Sequence, residues 1–183
     1  ELSLLLMPGP DSEGLAIFGS IEQNGDVPSP KAHVAEALEH PDTYYVNVGD
    51  EYRRQRNFEL ARGAYSRALS YNPMNAAGSF GLGESSFWLG DYDQASAGFL
   101  DSIQQDYRLA ESYRGAGWSS LALGDVGLSE IFFRSAINAD PTFSDAHNGL
   151  GWALAEQDLC EEAIPHFELA LSLNSTLAEA QRG

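Results

Sequence analysis

Four histidines and one cysteine are the side chains of this sequence best suited to metal binding or nucleophilic catalysis. They are His33, His40, His147, His166 and Cys160. Their spacing matches no pattern of metal ligands, in which pairs of Cys or His stand a few residues apart. Two glutamates follow Cys160 directly, and neighbouring negative charge disfavours the thiolate that a nucleophile needs. We therefore predict no metal site, no cofactor and no catalytic set.

Two Gly-x-Gly pairs, at 81–83 and 115–117, have the spacing that opens a dinucleotide-binding loop. That loop follows a strand and needs a third glycine, but Ser86 and Ser120 stand where it would be. The same glycines also belong to a longer periodic pattern. This favours a structural role for them.

The composition is that of a folded protein with a strong negative charge. Hydrophobic residues make up 43% of the 183 residues, and the formal net charge is −17, from 27 acidic and 10 basic side chains. Such a chain repels phosphate backbones and anionic membranes, so we predict neither nucleic acid nor membrane as a partner. The charge favours basic partners or simply solubility.

No run of 18 apolar residues is present, so we predict no membrane insertion. The run at residues 2–7 is too short, and lacks the basic flank, for a signal peptide. Because the chain starts at Glu1 rather than Met, we expect an upstream segment to be missing, and a targeting sequence is one candidate. The compartment is left open.

Small and aromatic residues recur every 34 positions, which is the mark of a repeat protein. Two glycine series are Gly49, Gly83, Gly117, Gly151 and Gly81, Gly115, Gly149, Gly183. Two small-residue series are Ala61, Ala95, Ser129, Ala163 and Ala68, Ser102, Ala136, Ala170. An aromatic series is Tyr65, Phe99, Phe133, Phe167. Small residues let two helices approach closely, and the aromatic fills the space beside them.

This pattern resembles the tetratricopeptide repeat, whose unit has a bulky residue, Leu-Gly, Tyr, Ala, an aromatic, Ala and a closing Pro. The first unit carries Tyr45, Val48, Gly49, Tyr52, Ala61, Tyr65, Ala68 and Pro73. In the second unit Ser86 replaces the Tyr. The resemblance implies an all-α helical-repeat solenoid of four helix–turn–helix units, over residues 42–75, 76–109, 110–143 and 144–177.

Each unit reads as two helices with a marked turn. We predict first helices near 42–55, 76–89, 110–123 and 144–157, and second helices near 58–71, 92–105, 126–139 and 160–173. Gly90 is suited to end a helix and Asp91 to cap the next one. Asp158 and Glu161 have the spacing of a capping box. Pro165 is expected to bend the last helix or weaken its first turns.

The two ends do not follow the period. Residues 1–30 hold short apolar runs separated by turn residues, which indicates a hairpin or an extended arm used for packing. Residues 31–41 read as a short capping helix before the first unit. The closing L-A-E-x-x-R-G repeats the opening of the third unit, so we interpret 178–183 as the start of a truncated further repeat or capping helix. The alternative is a short solvated tail.

In the tetratricopeptide family, ligands contact the second, fifth, ninth, twelfth and thirteenth places of the first helices, which line a concave surface. In units one and two, the resemblance assigns these places to Thr43, Val46, Asp50, Arg53, Arg54 and to Ala77, Phe80, Glu84, Phe87, Trp88. In units three and four they are Glu111, Arg114, Trp118, Leu121, Ala122 and Asp145, Asn148, Trp152, Ala155, Glu156.

From these places we select eleven candidate ligand-binding residues. They are Asp50, Arg53, Arg54, Phe80, Glu84, Phe87, Trp88, Arg114, Trp118, Asn148 and Trp152. All three tryptophans are among them, and Trp118 and Trp152 hold the same place in consecutive units, so we expect them side by side. Phe87 and Trp88 have an alternative role in packing against neighbouring helices.

Exposed aromatics with arginines are typical binding anchors. We therefore predict a non-enzymatic interaction scaffold that binds a peptide or helical segment with apolar anchors and some basic residues. Val46 and Asp50 replace the Lys and Asn by which chaperone-tail binders of the family hold a terminal carboxylate, so that mode is not expected. Two alternatives stay open: a module that self-associates through its open ends, and a regulatory domain of a longer protein.

Overall fold

The computed structural model describes residues 39–180, with side chains to residue 174, and this part of the chain is all α-helical. Its helices are α1 Pro41–Arg54, α2 Phe58–Tyr71, α3 Ala76–Trp88, α4 Tyr92–Gln104, α5 Leu109–Ala122, α6 Val126–Ala139, α7 Ser144–Ala155 and α8 Cys160–Ala180. The all-α prediction is confirmed. The arm over 1–30, nearly all of the expected capping helix and residues 181–183 lie outside the described residues.

The helices pack as a linear stack of pairs, which confirms the predicted solenoid. Within each unit the first helix packs on the second, and each second helix packs on the next first helix. The first helices of neighbouring units (α1 with α3, α3 with α5, α5 with α7) also contact one another. Their outward sides therefore form one continuous surface, which we call the first-helix surface.

The aromatic series forms the seams between units. Tyr65 is fully buried between Gly49 of its own unit and Gly81 of the next. A Cβ added to Gly49 would lie 2.6 Å from the Tyr65 ring, and one added to Gly81 would lie 2.3 Å from it. Phe99 meets Gly83 and Gly115 in the same way, and Phe133 meets Gly117 and Gly149. Since real Cβ contacts essentially never come as close as those at Gly49 and Gly81, only glycine fits there.

The turn inside unit two is built as predicted, and the turn inside unit three has the same construction. Gly90 and Gly124 have φ values of 80° and 82°, in the left-handed region that favours glycine. Asp91 accepts a hydrogen bond from the Gln94 amide, and Asp125 accepts one from the Leu128 amide. Each carboxylate satisfies a backbone donor that the first turn of the helix leaves unpaired.

The turn inside unit four corrects the predicted capping box. Asp158 has φ 61° and occupies the left-handed place that Gly90 and Gly124 hold in the earlier units. The helix starts one residue later than that box requires, at Cys160, so Leu159 stands where the other units have their capping side chain. Asp can adopt the left-handed conformation more readily than most residues, which accounts for its presence there.

The last helix also differs from its prediction. α8 does not end near residue 173 but continues to Ala180, with Pro165 inside it. The backbone of residues 178–180 is thus part of α8. The four unit boundaries stay predictions, although the helix starts follow them closely.

Candidate interaction surface

A ladder of alternating charges crosses the first-helix surface from unit one to unit four. Arg53 is in direct contact with Glu84 of the next unit, and its Nη2 lies 3.0 Å from Asp50 Oδ1. Arg114 Nη2 lies 3.9 Å from the other oxygen of Glu84, and its Nη1 lies 3.1 Å from Asp145 Oδ2. Three carboxylates and two guanidinium groups therefore form one connected network, which we call the charge ladder.

The charge ladder ties successive units together. Glu84 is its centre and the most buried of its acids, with a side chain that is 18% exposed. Partly buried pairs of this kind are screened less by solvent than exposed ones. Sequence reasoning named Asp50, Arg53, Glu84 and Arg114 as ligand contacts without foreseeing that they pair with each other.

Tyr65 links the seam beneath to the charge ladder. Its hydroxyl donates to Asp50 Oδ1 at 2.7 Å, although the ring itself is fully buried. Burial and the hydrogen bond to Asp50 raise the pKa of Tyr65, so the phenol stays protonated and keeps donating. The signal for this contact was present in the sequence, since Tyr65 is the one member of the aromatic series with a hydroxyl.

A shallow depression between α3 and α5 adjoins the centre of the charge ladder. It is lined by Glu84, Phe87, Trp88, Phe99, Arg114, Gly115 and Trp118. Trp88 is 60% exposed, and its indole stacks on Phe58 with ring centroids 5.6 Å apart. The Arg56 guanidinium lies 5.8 Å from the same indole. Trp88 thus both packs and lines the surface, while Phe87 contacts Trp88 and Tyr92 edge-on.

Two further indoles stand at the ninth place of units three and four. Trp118 is half-buried and lies edge-on to Phe133, with centroids 5.1 Å apart. Trp152 is 49% exposed and lies edge-on to Phe167 at 5.8 Å. Each indole is therefore held by the seam aromatic of its own unit while part of it remains open to solvent.

Phe80 is not an exposed aromatic, which corrects its assignment to the binding surface. Only 3% of it is exposed, and its ring lies edge-on to Phe99 and Tyr107. The Arg108 guanidinium lies 4.6 Å from the centroid of the ring. The fifth place of unit two thus belongs to the core, because the side chain turns into the seam with α4.

The two remaining candidates have different surroundings. Arg54 is exposed and pairs with Glu51 on its own helix, at 2.5 Å. Asn148 is half-buried on α7. The structure thus brings Glu84, Arg114, Trp88 and Trp118 together, and places Arg54 in a separate local pair.

Sequence reasoning missed a histidine pair between α7 and α8. The Nδ1 atoms of His147 and His166 lie 3.4 Å apart, and His147 Nε2 lies 3.0 Å from the Pro141 carbonyl. Since a carbonyl only accepts, His147 Nε2 carries a proton, and the neutral pair is joined by a proton on His166 Nδ1. Burial, His147 and Arg134 lower the pKa of His166. The 19-residue separation of the two histidines gives no sequence signal.

Within residues 39–180, no three side chains of the metal-ligating types are grouped as a metal site. None of the helices described for this chain combines the length and apolar character that a membrane crossing requires.

Comparisons with known proteins agree with the repeat architecture. Residues 48–107 match the family model of the tetratricopeptide repeat. The crystal structure of MamA superposes with a TM-score of 0.71 at 18% identity, covering 81% of this chain and 88% of that one. YrrB, described as a TPR protein with an unusual peptide-binding site, gives 0.68 at 18% identity over 81% and 78%. At these identities the likeness shows the fold alone.

Another similar structure is the APC/C hetero-tetramer Cut9–Hcn1. It gives a TM-score of 0.68 at 21% identity and covers 79% of this chain but 28% of that one. Among curated protein sequences, none matches this chain.

Proposed function

We propose that this chain is a non-enzymatic scaffold that binds a peptide or helical segment along its first-helix surface. The match of residues 48–107 to the tetratricopeptide repeat model and the shared repeat fold support this class of function. Trp88, Trp118 and Trp152 act as the apolar anchor points, and carboxylates at the same surface attract basic residues of the partner. YrrB, a TPR protein described as having a peptide-binding site, supports a peptide as the class of ligand.

The observation that carries this proposal is the exposure of large indoles on one surface. Trp88 is 60% exposed and Trp152 is 49% exposed. Both are fixed by ring contacts with Phe58 and Phe167, so little rotamer freedom is lost when a partner covers them. Tryptophan is among the residues most enriched in the energetic centres of interfaces.

The charge balance supports a partner with basic residues. The charge ladder contains one more carboxylate than guanidinium, and the whole chain carries a net charge of −17. The long-range electrostatic field of this charge attracts a basic partner. Lys or Arg side chains of that partner can then form ion pairs with the outer carboxylates, Asp50 and Asp145.

A selection of displayed peptides tests the proposal without knowledge of the natural partner. Peptides selected on the wild-type array should combine aromatic or aliphatic residues with Lys or Arg. Their affinity should fall about tenfold or more for Trp118→Ala combined with Trp152→Ala, as expected for loss of central indoles. Binding should also weaken between low and high salt.

Ile131→Ala provides the matched control, since Ile131 is 59% exposed but lies on the second helix α6. This variant should bind the selected peptides like wild type. Equal affinity of the double tryptophan variant and wild type, or selection of acidic peptides, would contradict the proposal.

A further inference from the structure

Units one and two both carry a carboxylate at the ninth place, but only the first of these receives a hydrogen bond from the seam beneath it. In unit one, Asp50 accepts this bond from the Tyr65 hydroxyl, at 2.7 Å. In unit two, Glu84 holds the ninth place and Phe99 holds the place of Tyr65. Since phenylalanine has no hydroxyl, unit two keeps the acceptor of this contact and lacks its donor.

One oxygen of Glu84 is left without a hydrogen bond among the residues that the structure describes. Its Oε2 is in direct contact with Arg53. The Nη2 of Arg114 lies 3.9 Å from Oε1, which is beyond hydrogen-bond distance, and Arg114 donates instead to Asp145 at 3.1 Å. Glu84 Oε1 thus keeps its capacity to accept a hydrogen bond from a bound molecule.

The shallow depression between α3 and α5 combines this carboxylate with aromatic walls. Glu84 and Phe99 both line it, and these are the two side chains of the incomplete contact. Phe87, Trp88 and Trp118 line it as well. An aromatic ring that enters the depression can make edge-to-face or stacked contacts with these rings, and such contacts are favourable beyond the area that they bury.

Arg114 favours a neutral donor over a charged one. It lines the depression, so a lysine or arginine of the partner would bring a second positive charge close to its guanidinium. A neutral hydroxyl meets no such repulsion. A phenol joins a hydroxyl to an aromatic ring, and Tyr65 shows that a phenol can donate to a carboxylate at the ninth place.

We propose that the depression between α3 and α5 is a specificity pocket for a tyrosine side chain of the bound peptide. The phenol donates to Glu84 Oε1, and its ring packs among Phe87, Trp88 and Trp118. The partner thereby supplies to unit two the hydroxyl that Tyr65 supplies to unit one. This inference rests on the proposed function above and names one residue that the partner presents.

A comparison of tyrosine and phenylalanine at one position of a bound peptide tests the pocket. Peptides selected on the wild-type array should share a tyrosine. Replacing it by phenylalanine should lower the affinity about tenfold or more, because a hydrogen bond to a charged acceptor is lost. Glu84→Met keeps the length of the side chain and removes the acceptor, so this variant should bind the two peptides equally. Isothermal titration calorimetry measures all four affinities.

Phe99→Tyr is a second variant, which retains Glu84 and the charge ladder. It gives unit two the phenol of unit one, in similar surroundings: a Cβ at Gly81 would lie 2.3 Å from Tyr65 Cζ, and one at Gly115 would lie 2.4 Å from Phe99 Cζ. The new hydroxyl should donate to Glu84 in place of the peptide, so the preference for tyrosine should disappear. This variant decides the question if Glu84→Met does not fold.

Glu130→Met is the matched control, because Glu130 also pairs with an arginine, Arg134 at 2.7 Å, but lies on the second helix α6. It should keep the preference for tyrosine, and circular dichroism should show which variants are folded. Equal binding of the two peptides by wild type would overturn the proposal. So would a preference that persists in the deciding variant, or selection of tryptophan, lysine or arginine where tyrosine is expected.

Failure of this inference can be told from failure of the proposed function. Peptides whose binding needs Trp118 and Trp152 but shows no preference for tyrosine would overturn the tyrosine pocket alone. If the wild-type array selected no peptide, the proposed function and the pocket would both be wrong.

Discussion

The first-helix surface has two halves with the same backbone and different chemistry. At the ninth place, units one and two carry Asp50 and Glu84, whereas units three and four carry Trp118 and Trp152. The acids are engaged by arginines of their own and neighbouring units. The indoles are held by their own seam aromatics and remain partly open.

This contrast separates two roles that one repeat position can have. In the charged half, the ninth place joins units to one another. In the indole half, the polar contacts between units three and four come from other places, such as Arg114 with Asp145, and the ninth place holds an indole that remains partly open to solvent. A repeat can change its surface in this way because the seam contacts lie beneath the surface and do not depend on it.

The largest expected effect is at the seams, which both halves share. Gly149→Ala pushes a methyl group into Phe133, and Gly81→Ala pushes one into Tyr65. Each should lower the free energy of unfolding by about 1–3 kcal/mol, the usual cost of overpacking a tight contact. Chemical denaturation measures both. If only one of the two variants lost stability, the two halves would not share the same kind of seam.

Gly63→Ala is the control for helix propensity. Gly63 also lies inside a helix, but a Cβ there meets nothing within 4 Å. This variant should gain about 0.5–1 kcal/mol, since alanine favours helix over glycine. The same substitution should thus change stability in opposite directions at Gly63 and Gly149. A stabilised Gly149→Ala variant would refute the seam assignment.

A smaller effect is expected where the halves differ. Glu84→Gln leaves Arg53 and Arg114 without the carboxylate they share, and should cost about 1–2 kcal/mol at low salt, discounted for partial exposure. The loss should shrink in 1 M salt, where the Debye length is about 3 Å. The loss caused by Trp152→Ala should not shrink with salt, because the contact it removes is apolar. Denaturation curves at low and high salt measure the stability loss of each variant. If the two losses depended equally on salt, the charged half and the indole half would not differ in the way proposed.

The smallest effect concerns pH and falls in the indole half. The pKa of His166 is lowered by burial, His147 and Arg134, so the unfolded chain binds more protons than the folded one below about pH 6.5. Stability should therefore fall as the pH drops below that value, because protonation of His166 is favoured more in the unfolded chain than in the folded one. Hydrogen exchange of the α8 amides, compared with those of α1, should show a local loosening.

His166→Gln provides the control for this pH effect, since glutamine does not titrate. In this variant the loosening of α8 between about pH 7 and 5.5, the range around the ordinary histidine pKa, should disappear. Acidic side chains such as Asp42 and Glu51 have lowered pKa values and titrate well below this range. Unchanged pH dependence in His166→Gln would exclude His166 as its source.

Features that depend on a residue and its near neighbours along the chain were predicted well. Gly90 and Asp91 were recognised as the end of one helix and the cap of the next, because turn chemistry acts over three or four residues. The capping box at Asp158 was wrong by one position. Asp158 lies 34 residues after Gly124, and the repeat places a residue of left-handed conformation at this position. Asp158 therefore adopts that conformation and does not cap the helix.

Features that depend on the direction of a side chain across a seam were not predicted. Phe80 holds a family contact place but turns into the core beside Phe99. Arg53 and Glu84 are 31 residues apart, and their pairing depends on the spacing of α1 and α3. The selection of Trp88 and Trp152 as exposed residues agrees with their exposure in the structure, whereas their role in binding stays a prediction.

The sequence by itself determined that this protein is a stack of helix pairs, because glycines and aromatics recurring every 34 residues leave one way to nest the helices. Only the tertiary structure decided which polar side chains neutralise each other, where the two histidines meet and which seam residues are exposed on α8. The physical reason is one of range. The repeat period can be read from the order of residues along the chain. A contact between charges or rings depends on distances between helices, which the period alone does not set.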